Sequence, residues 1–201
     1  RNYKENKNMK KNKKFWDTQY KERNTGWDVG AITTPLKAYF EQLTDKSLEI
    51  LIPGAGNAYE AEYLNKLGFK NVTVVDISPT VIDQFKVRVV DFPKNHILNL
   101  DFFELTGQFD LIIEQTFFCA IIPSLRSKYA EQAKRLLKST AKIVGLMFDA
   151  PLNKEHPPYG GDCEEYQSYF NPFFDIKIMD SAYNSIESRI GKEVFVKMIK
   201  K

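Results

Sequence analysis

Leu48-Glu49-Ile50-Leu51-Ile52-Pro53-Gly54-Ala55-Gly56, answered by Val72-Thr73-Val74-Val75-Asp76, decides how this chain is read. The first run is apolar and stops at a glycine turn. The second is apolar and stops at a carboxylate. A helical pattern lies between them. Glycines let the backbone approach a ligand with no Cβ in the way. A helix opening after Gly56 offers free N–H groups and the positive end of its dipole. Asp76 stands 20 residues past Gly56 (76 − 56), the position of a carboxylate that holds both ribose hydroxyls. The unit predicts a nucleoside-containing cofactor; the competing reading is a tight turn in an α/β domain without a ligand.

The dinucleotide fingerprint requires a third small residue three positions after the second glycine, so that helix and strand pack around a pyrophosphate. That position is Tyr59. A bulky residue there argues against NAD and is compatible with S-adenosylmethionine, which has no phosphate and presents an amino-acid carboxylate and ammonium.

The 201 residues fit one domain with a real core, and 43% hydrophobic with 27% charged residues is ordinary for a globular chain. No apolar run approaches the roughly 20 residues that cross a bilayer, and no signal-peptide pattern is visible. Two cysteines, Cys119 and Cys163, are too few for a disulfide framework, which makes a reducing cytoplasm the default expectation. The net charge of +3 is modest, but Lys4, Lys7, Lys10, Lys11, Lys13 and Lys14 crowd the start. Residues 1–14 are read as a basic, flexible leader rather than a nucleic-acid or membrane tether, because no arginines or interleaved aromatics accompany the lysines. Residues 15–201 are read as one domain, with 15–45 an aromatic cap. The expectation is a monomer with no nucleic-acid or membrane partner.

Strand and helix patterns then alternate, which implies a parallel sheet covered on both faces. Strands are expected at 48–52, 72–76, 97–100, 109–114 and 141–148. Helices are expected at 59–67, from Ser78-Pro79 to about Phe85, and at 125–137 behind a Ser124 cap. Residues 149–161 read as a long Pro- and Gly-rich loop, and Asp162 as the cap of a short helix with Glu165 in capping-box position. Phe174–Met179 and Glu193–Ile199 close the chain as strands. The link between them is too short for a crossover helix, so the last strand should be antiparallel. The fold class is therefore α/β: a Rossmann-like class I methyltransferase architecture, a mostly parallel seven-stranded sheet with an antiparallel last strand and helices on both faces.

Five motifs, in order along residues 15–201, carry a family resemblance. Trp16-x-x-x-Tyr20 with Gly26-Trp27-Asp28-x-Gly30 and Thr34-Pro35-Leu36 comes first, followed by Pro53-Gly54-Ala55-Gly56 and Asp101-Phe102-Phe103. Phe109-Asp110-Leu111-Ile112-Ile113-Glu114 leads into Phe117-Phe118-Cys119-Ala120-Ile121. Pro157-Pro158-Tyr159 and Ser185-Ile186-x-x-Arg189-x-Gly191-Lys192-Glu193 complete the set. Together they resemble the thiopurine S-methyltransferase family, and within it the plant halide, thiocyanate and thiol methyltransferases. The resemblance implies S-adenosylmethionine as cofactor, with S-adenosylhomocysteine as product. It implies that Trp16, Tyr20 and Trp27 line the cofactor, Gly54 touches its methionine part, Asp76 its ribose, Asp101 and Phe102 its adenine, and that Gln115 sits near the sulfonium. Two positions depart from the pattern. Tyr20 replaces a Trp of the plant branch. Gln115 stands where thiopurine enzymes carry Arg and the plant branch Tyr, which counts against aromatic thiopurine acceptors. The segment between the second and third strands is also short.

Methyl transfer is an in-line displacement on a methyl group that the sulfonium already activates, so alignment and desolvation are the protein's main contributions, alignment being worth roughly 7–11 kcal/mol. An acceptor that is already anionic requires no general base, and the sequence offers only Glu114 and His156 as candidates. An aromatic face beside a sulfonium contributes roughly 0.5–2 kcal/mol. Trp27, Phe117, Phe118, His156 and Tyr159 are the candidate acceptor pocket. Each has a plainer reading: Phe117 and Phe118 as core, the cap aromatics as a staple onto the domain, Asp76 as strand-end capping, His96 as a loop residue and Cys119 as a buried inert thiol. No His or Cys has metal-ligand spacing. Pro157-Pro158-Tyr159 evokes nucleic-acid amino methylases, but there the motif follows the fourth strand and here it follows the fifth. The expected activity is methyl transfer to a small thiol, thiocyanate or halide anion. The rivals are an O- or N-methyltransferase of the same fold, a non-catalytic domain that binds the cofactor or its product, and an NAD oxidoreductase.

Overall fold

Continuous β-branched and aliphatic runs become strands buried on both faces, as the parallel arrangement requires. The computed structural model describes residues 2–201, with side chains described from residue 12 onward. The strands are β1 (Ile50–Pro53), β2 (Val72–Asp76), β3 (Ile97–Asn99), β4 (Phe109–Gln115), β5 (Leu137–Phe148), β6 (Phe174–Ser181) and β7 (Glu193–Lys200). They form one sheet in the order β3-β2-β1-β4-β5-β7-β6. The first five strands pair in parallel. β7 inserts between β5 and β6 and runs antiparallel to both, as the short link before it demanded.

The helices are α1 (Asn2–Lys21), α2 (Thr34–Glu41), α3 (Tyr59–Lys66), α4 (Pro79–Arg88), α5 (Arg126–Leu136) and α6 (Cys163–Phe170). Alternate strand residues feed two cores. Ile50, Ile52, Val72 and Val74 pack with Leu36 and Phe40 of α2, Ala61 and Leu64 of α3, and Ile82 and Phe85 of α4. Leu51, Val75 and Ile112 pack on the other face with Tyr129, Ala133 and Leu136 of α5 and Tyr166 and Phe170 of α6. The strand order reverses between β1 and β4, so a crevice opens at the carboxyl ends of those strands, where sheets of this kind bind ligands. No helix among the described residues is long and apolar enough to cross a membrane.

Several local expectations are corrected. Ser124 does not cap α5: it lies in a 3₁₀ turn, and the cap position is Leu125 with no side-chain bond. β5 starts at Leu137, directly after α5, because Leu137 already pairs with Phe109; the register then shifts before Leu111 pairs with Lys142, and Thr140 in between takes φ 59°. Asp162 does cap α6, accepting from the Glu165 N–H at 2.8 Å, but the Glu165 carboxylate goes to Arg126 instead of returning to the cap. The flexible leader expected at 1–14 falls mainly on residues whose side chains lie outside the described part; the backbone from Asn2 belongs to α1.

Candidate active site

The glycine turn works by unusual backbone. Gly54 and Gly56 have φ of 54° and 53°, and Ala58, the cap residue of α3, has φ 53°. These left-handed values suit glycine, and Ala58 bears the strain of a Cβ there. A Cβ on Gly54 would run into the ring of Phe117, and one on Gly56 would lie 2.7 Å from the Tyr20 hydroxyl. The turn is clamped to the end of β2. The Ala55 N–H donates to the Val75 carbonyl at 3.1 Å. Asp76 Oδ2 accepts from the Gly56 N–H at 2.9 Å and Oδ1 from the Ser78 N–H at 2.8 Å. Burial pushes the Asp76 carboxyl up to about 6, against backbone N–H groups that draw it down. Asp76 thus caps its strand end and faces the crevice at once.

The cap is held by polar contacts at both of its ends. On α1, Asp17 accepts from the Ser78 hydroxyl at 2.9 Å and the Thr80 N–H at 3.1 Å, while Lys21 pairs with it at 2.6 Å. Desolvation raises its carboxyl, but these bonds outweigh that and hold it well below the usual carboxylate range. Beyond α1, Asp28 accepts from the Gly30 N–H at 2.8 Å, the Tyr59 hydroxyl at 3.4 Å and the Asn57 amide. Between these anchors Trp27 meets Trp16 edge to face at 5.4 Å and Tyr20 at 5.9 Å.

The other side of the crevice is built from side chains of distant segments. Glu114 near the end of β4 is fully buried. Its Oε1 accepts from the Phe117 N–H at 2.8 Å and the Phe118 N–H at 2.7 Å, and its Oε2 from the Tyr129 hydroxyl at 2.7 Å. Burial raises its carboxyl to about 7. The carboxylate therefore clamps the turn after β4, and it does not line the crevice, which removes the direct access a general base requires. Phe118 is also turned away, packed edge to face on Tyr129 and Tyr166 as core, so it is not pocket wall. Phe117 covers Gly54 and does line the crevice. Gln115 accepts from the Thr33 hydroxyl at 3.1 Å. The Tyr159 N–H donates to the Cys119 carbonyl at 2.7 Å, and buried Arg126 reaches the Tyr159 and Gly160 carbonyls and the Glu165 carboxylate. The Pro-rich loop is thereby fastened over the site. His156 sits exposed at the rim, bonded among the described residues only to the Pro157 carbonyl. Burial pushes the Cys119 thiol up to about 12, in keeping with an inert side chain.

These walls enclose a cavity of about 790 Å³. It brings together Trp16, Tyr20, Trp27, Gly54, Asp76, Asp101, Phe102, Gln115, Phe117, His156 and Tyr159. Phe102 stacks on Tyr129 at 5.1 Å, and Asp101 accepts from the Phe103 N–H at 2.9 Å. Two buried charged residues in the wall escaped the sequence reading. Arg189 is 6% exposed, donates to the Trp27 carbonyl at 2.8 Å, and its Nη1, 3.9 Å from the Glu193 carboxylate, makes no hydrogen bond among the described residues. It stood within a quoted motif but with no role. Glu60 is also 6% exposed. In sequence it is one more acid in the first turn of a helix, where the dipole favours acids at the surface.

Glycine turn, buried ribose-type carboxylate and aromatic cap over a crevice at the switch point fit an adenosine with a cationic tail and leave no phosphate cradle. The fold is that of class I S-adenosylmethionine-dependent methyltransferases. It superposes on a magnesium protoporphyrin IX methyltransferase from Synechocystis PCC 6803 with TM-score 0.72 at 12% identity, over 94% of this chain and 97% of that one. It also matches a Burkholderia thailandensis 1,6-didemethyltoxoflavin-N1-methyltransferase with TM-score 0.70 at 14% identity, over 94% and 87%. The model of the thiopurine S-methyltransferase family matches residues 11–200, and the chain belongs to that family and is an S-adenosylmethionine-dependent methyltransferase. Among its relatives, an Arabidopsis thaliana protein named "Probable thiol methyltransferase 2" is 30% identical over 173 residues, 83% of this chain and 76% of the relative. Thiocyanate methyltransferase 1 of the same plant is 26% identical over 89% and 81%. A thiopurine S-methyltransferase of Methylococcus capsulatus is 23% identical over 86% of both chains.

Proposed function

We propose that this enzyme methylates a small, soft, already anionic acceptor: a thiolate, thiocyanate or halide ion. The observation that carries the reading is Arg189, a buried cation in the cavity wall whose Nη1 makes no hydrogen bond among the described residues and faces only the Glu193 carboxylate at 3.9 Å, with no free carboxylate base at the end of β4. A buried donor without a partner is costly, and an anion relieves that cost. S-adenosylmethionine supplies a methyl group on a sulfonium, a step that needs no proton transfer when the acceptor is an anion. Trp16, Tyr20 and Trp27 face the cation and exclude water. Asp76 takes the ribose, Asp101 and Phe102 the adenine, Gly54 the methionine part, and Gln115, held by Thr33, the methyl side. Phe117, Tyr159 and Trp27 strip water from the acceptor, with His156 at the mouth. A cavity of this size and lining holds cofactor and a few-atom acceptor together. The replacement of an Arg or Tyr by Gln115 supports a small acceptor over an aromatic one.

The test is headspace analysis after supplying cofactor with hydrosulfide, thiocyanate or iodide. Methanethiol, methyl thiocyanate or methyl iodide is expected from at least one of them. Silence on all three, with cofactor bound, overturns the acceptor class. The protein is proposed to act as a monomer; light scattering with and without cofactor checks this.

A further inference from the structure

Glu60 has no role in the account above, yet it lies in the same wall. It opens α3, four residues after Gly56, so the turn that lets a ligand approach Gly54 delivers this side chain to the cavity. It is buried, and apart from its own N–H no described donor bonds its carboxylate. Arg189 and Asp28 are the charged groups that bear on it. Arg189 is turned to the Trp27 carbonyl and towards Glu193 and makes no ion pair with Glu60. Asp28 is a like charge, itself held by Gly30, Asn57 and Tyr59. A carboxylate out of water without a bonded cation is unfavourable unless a ligand brings one.

Building on the cofactor assignment proposed above, we infer that Glu60 is the receptor for the ammonium group at the amino-acid end of S-adenosylmethionine. The ammonium then meets Glu60 and the sulfonium meets aromatic faces. Burial, with the like charge of Asp28 adding to it, lifts the Glu60 carboxyl to about 7, and an ammonium beside it would draw it back down. A primary amine acceptor would satisfy the same carboxylate, and the experiment separates that source from the cofactor.

Calorimetry is run on the wild type and Glu60→Gln with S-adenosylhomocysteine and with 5′-S-(3-carboxypropyl)-5′-thioadenosine, the same molecule without its ammonium. The wild type is expected to favour the homocysteine compound by roughly tenfold or more, as charge-assisted bonds do. Glu60→Gln is expected to erase that preference while binding the deaminated compound as the wild type does. Equal binding of both compounds by the wild type overturns the inference without any variant, and so does a Glu60→Gln protein that keeps the preference or loses affinity for both alike. An amine acceptor at Glu60 predicts the kept preference. If the wild type binds neither compound, the cofactor reading itself fails, which is a separate result.

Discussion

The two sides of the crevice are made differently. On the β1–β2 side a ligand meets backbone and two buried carboxylates, Glu60 and Asp76, all within 50–78, and the geometry comes from a turn that only small residues allow. On the β4–β5 side it meets side chains from five separate segments: the turn after β4, the start of α5, the loop at 149–161, the 3₁₀ turn at Glu187–Arg189 and the cap. The first side recognises what every enzyme with this cofactor must hold. The second is assembled over long chain separations, and there specificity can change without changing the fold.

The largest expected effect breaks the second side. Glu114→Ala leaves the Phe117 and Phe118 N–H groups and the Tyr129 hydroxyl without their acceptor. Each stranded buried donor costs about 1–3 kcal/mol, so a loss on the order of 4 kcal/mol is expected by urea unfolding. Retained stability would show that the turn after β4 is held by packing alone. The next effect strikes the first side: Asp76→Asn should weaken S-adenosylhomocysteine by about 100-fold in calorimetry, two hydroxyl bonds to a charged acceptor being lost. The same carboxylate gives a pH signature. Asp76, Glu60 and Glu114 all hold their protons more tightly folded than unfolded, with folded values of about 6, 7 and 7 against 3.8 and 4.5. The folded protein therefore carries more protons between roughly pH 4 and pH 7, and the stability of the ligand-free protein falls as pH rises through that window. Cofactor affinity moves the opposite way, strengthening as Asp76 ionises through about 6. Asp76→Asn should flatten that rise.

The contrast also explains what the sequence made legible. The succession of strands, the antiparallel β7, the glycine turn and the place of Asp76 at a strand end were readable because each rests on local periodicity or on fixed spacing along one β-α-β unit. Glu114 was not. Its position after a strand that ends at the crevice looks like a base, and only the fold shows both oxygens consumed by the turn and Tyr129. Phe117 and Phe118 are neighbours of one type, and the 3₁₀ turn at Phe118–Ala120 sends one ring to Gly54 and the other into the core. Arg189 and Glu60 lie 129 positions apart (189 − 60), so no spacing could show that they share a wall. Ser124 had the chemistry of a cap but sits one position before Leu125, which takes the cap place.

Two smaller effects sharpen the division. Arg189→Met should raise the KM for an anionic acceptor roughly tenfold and weaken S-adenosylhomocysteine less, since the acceptor loses a charged donor whereas the cofactor loses only the bond that holds Trp27. A variant that loses cofactor and acceptor equally would place Arg189 with the first side. The opposite error is also open to test, because Arg189 carries the cap through Trp27: Arg189→Lys keeps the charge but loses the fork geometry, so it should fall between wild type and Met if charge on the acceptor matters.

The smallest expected effect discriminates mechanism. With Glu114 consumed by the turn and Tyr129, His156 is the base candidate that still borders the cavity, exposed and bonded among the described residues only to its neighbour's carbonyl. If the acceptor arrives as an anion, no proton moves in the transition state and His156→Gln should alter kcat less than about twofold, whereas removing a working general base typically costs 100-fold or more. The comparison is cleanest with thiocyanate or iodide, which have no proton to lose, set against a thiol assayed well below its own pKa. Loss of the thiol reaction alone would assign His156 to deprotonating thiols at the rim. Loss of all of them would show that the residue shapes the mouth of the cavity, since no proton exists to be taken from iodide.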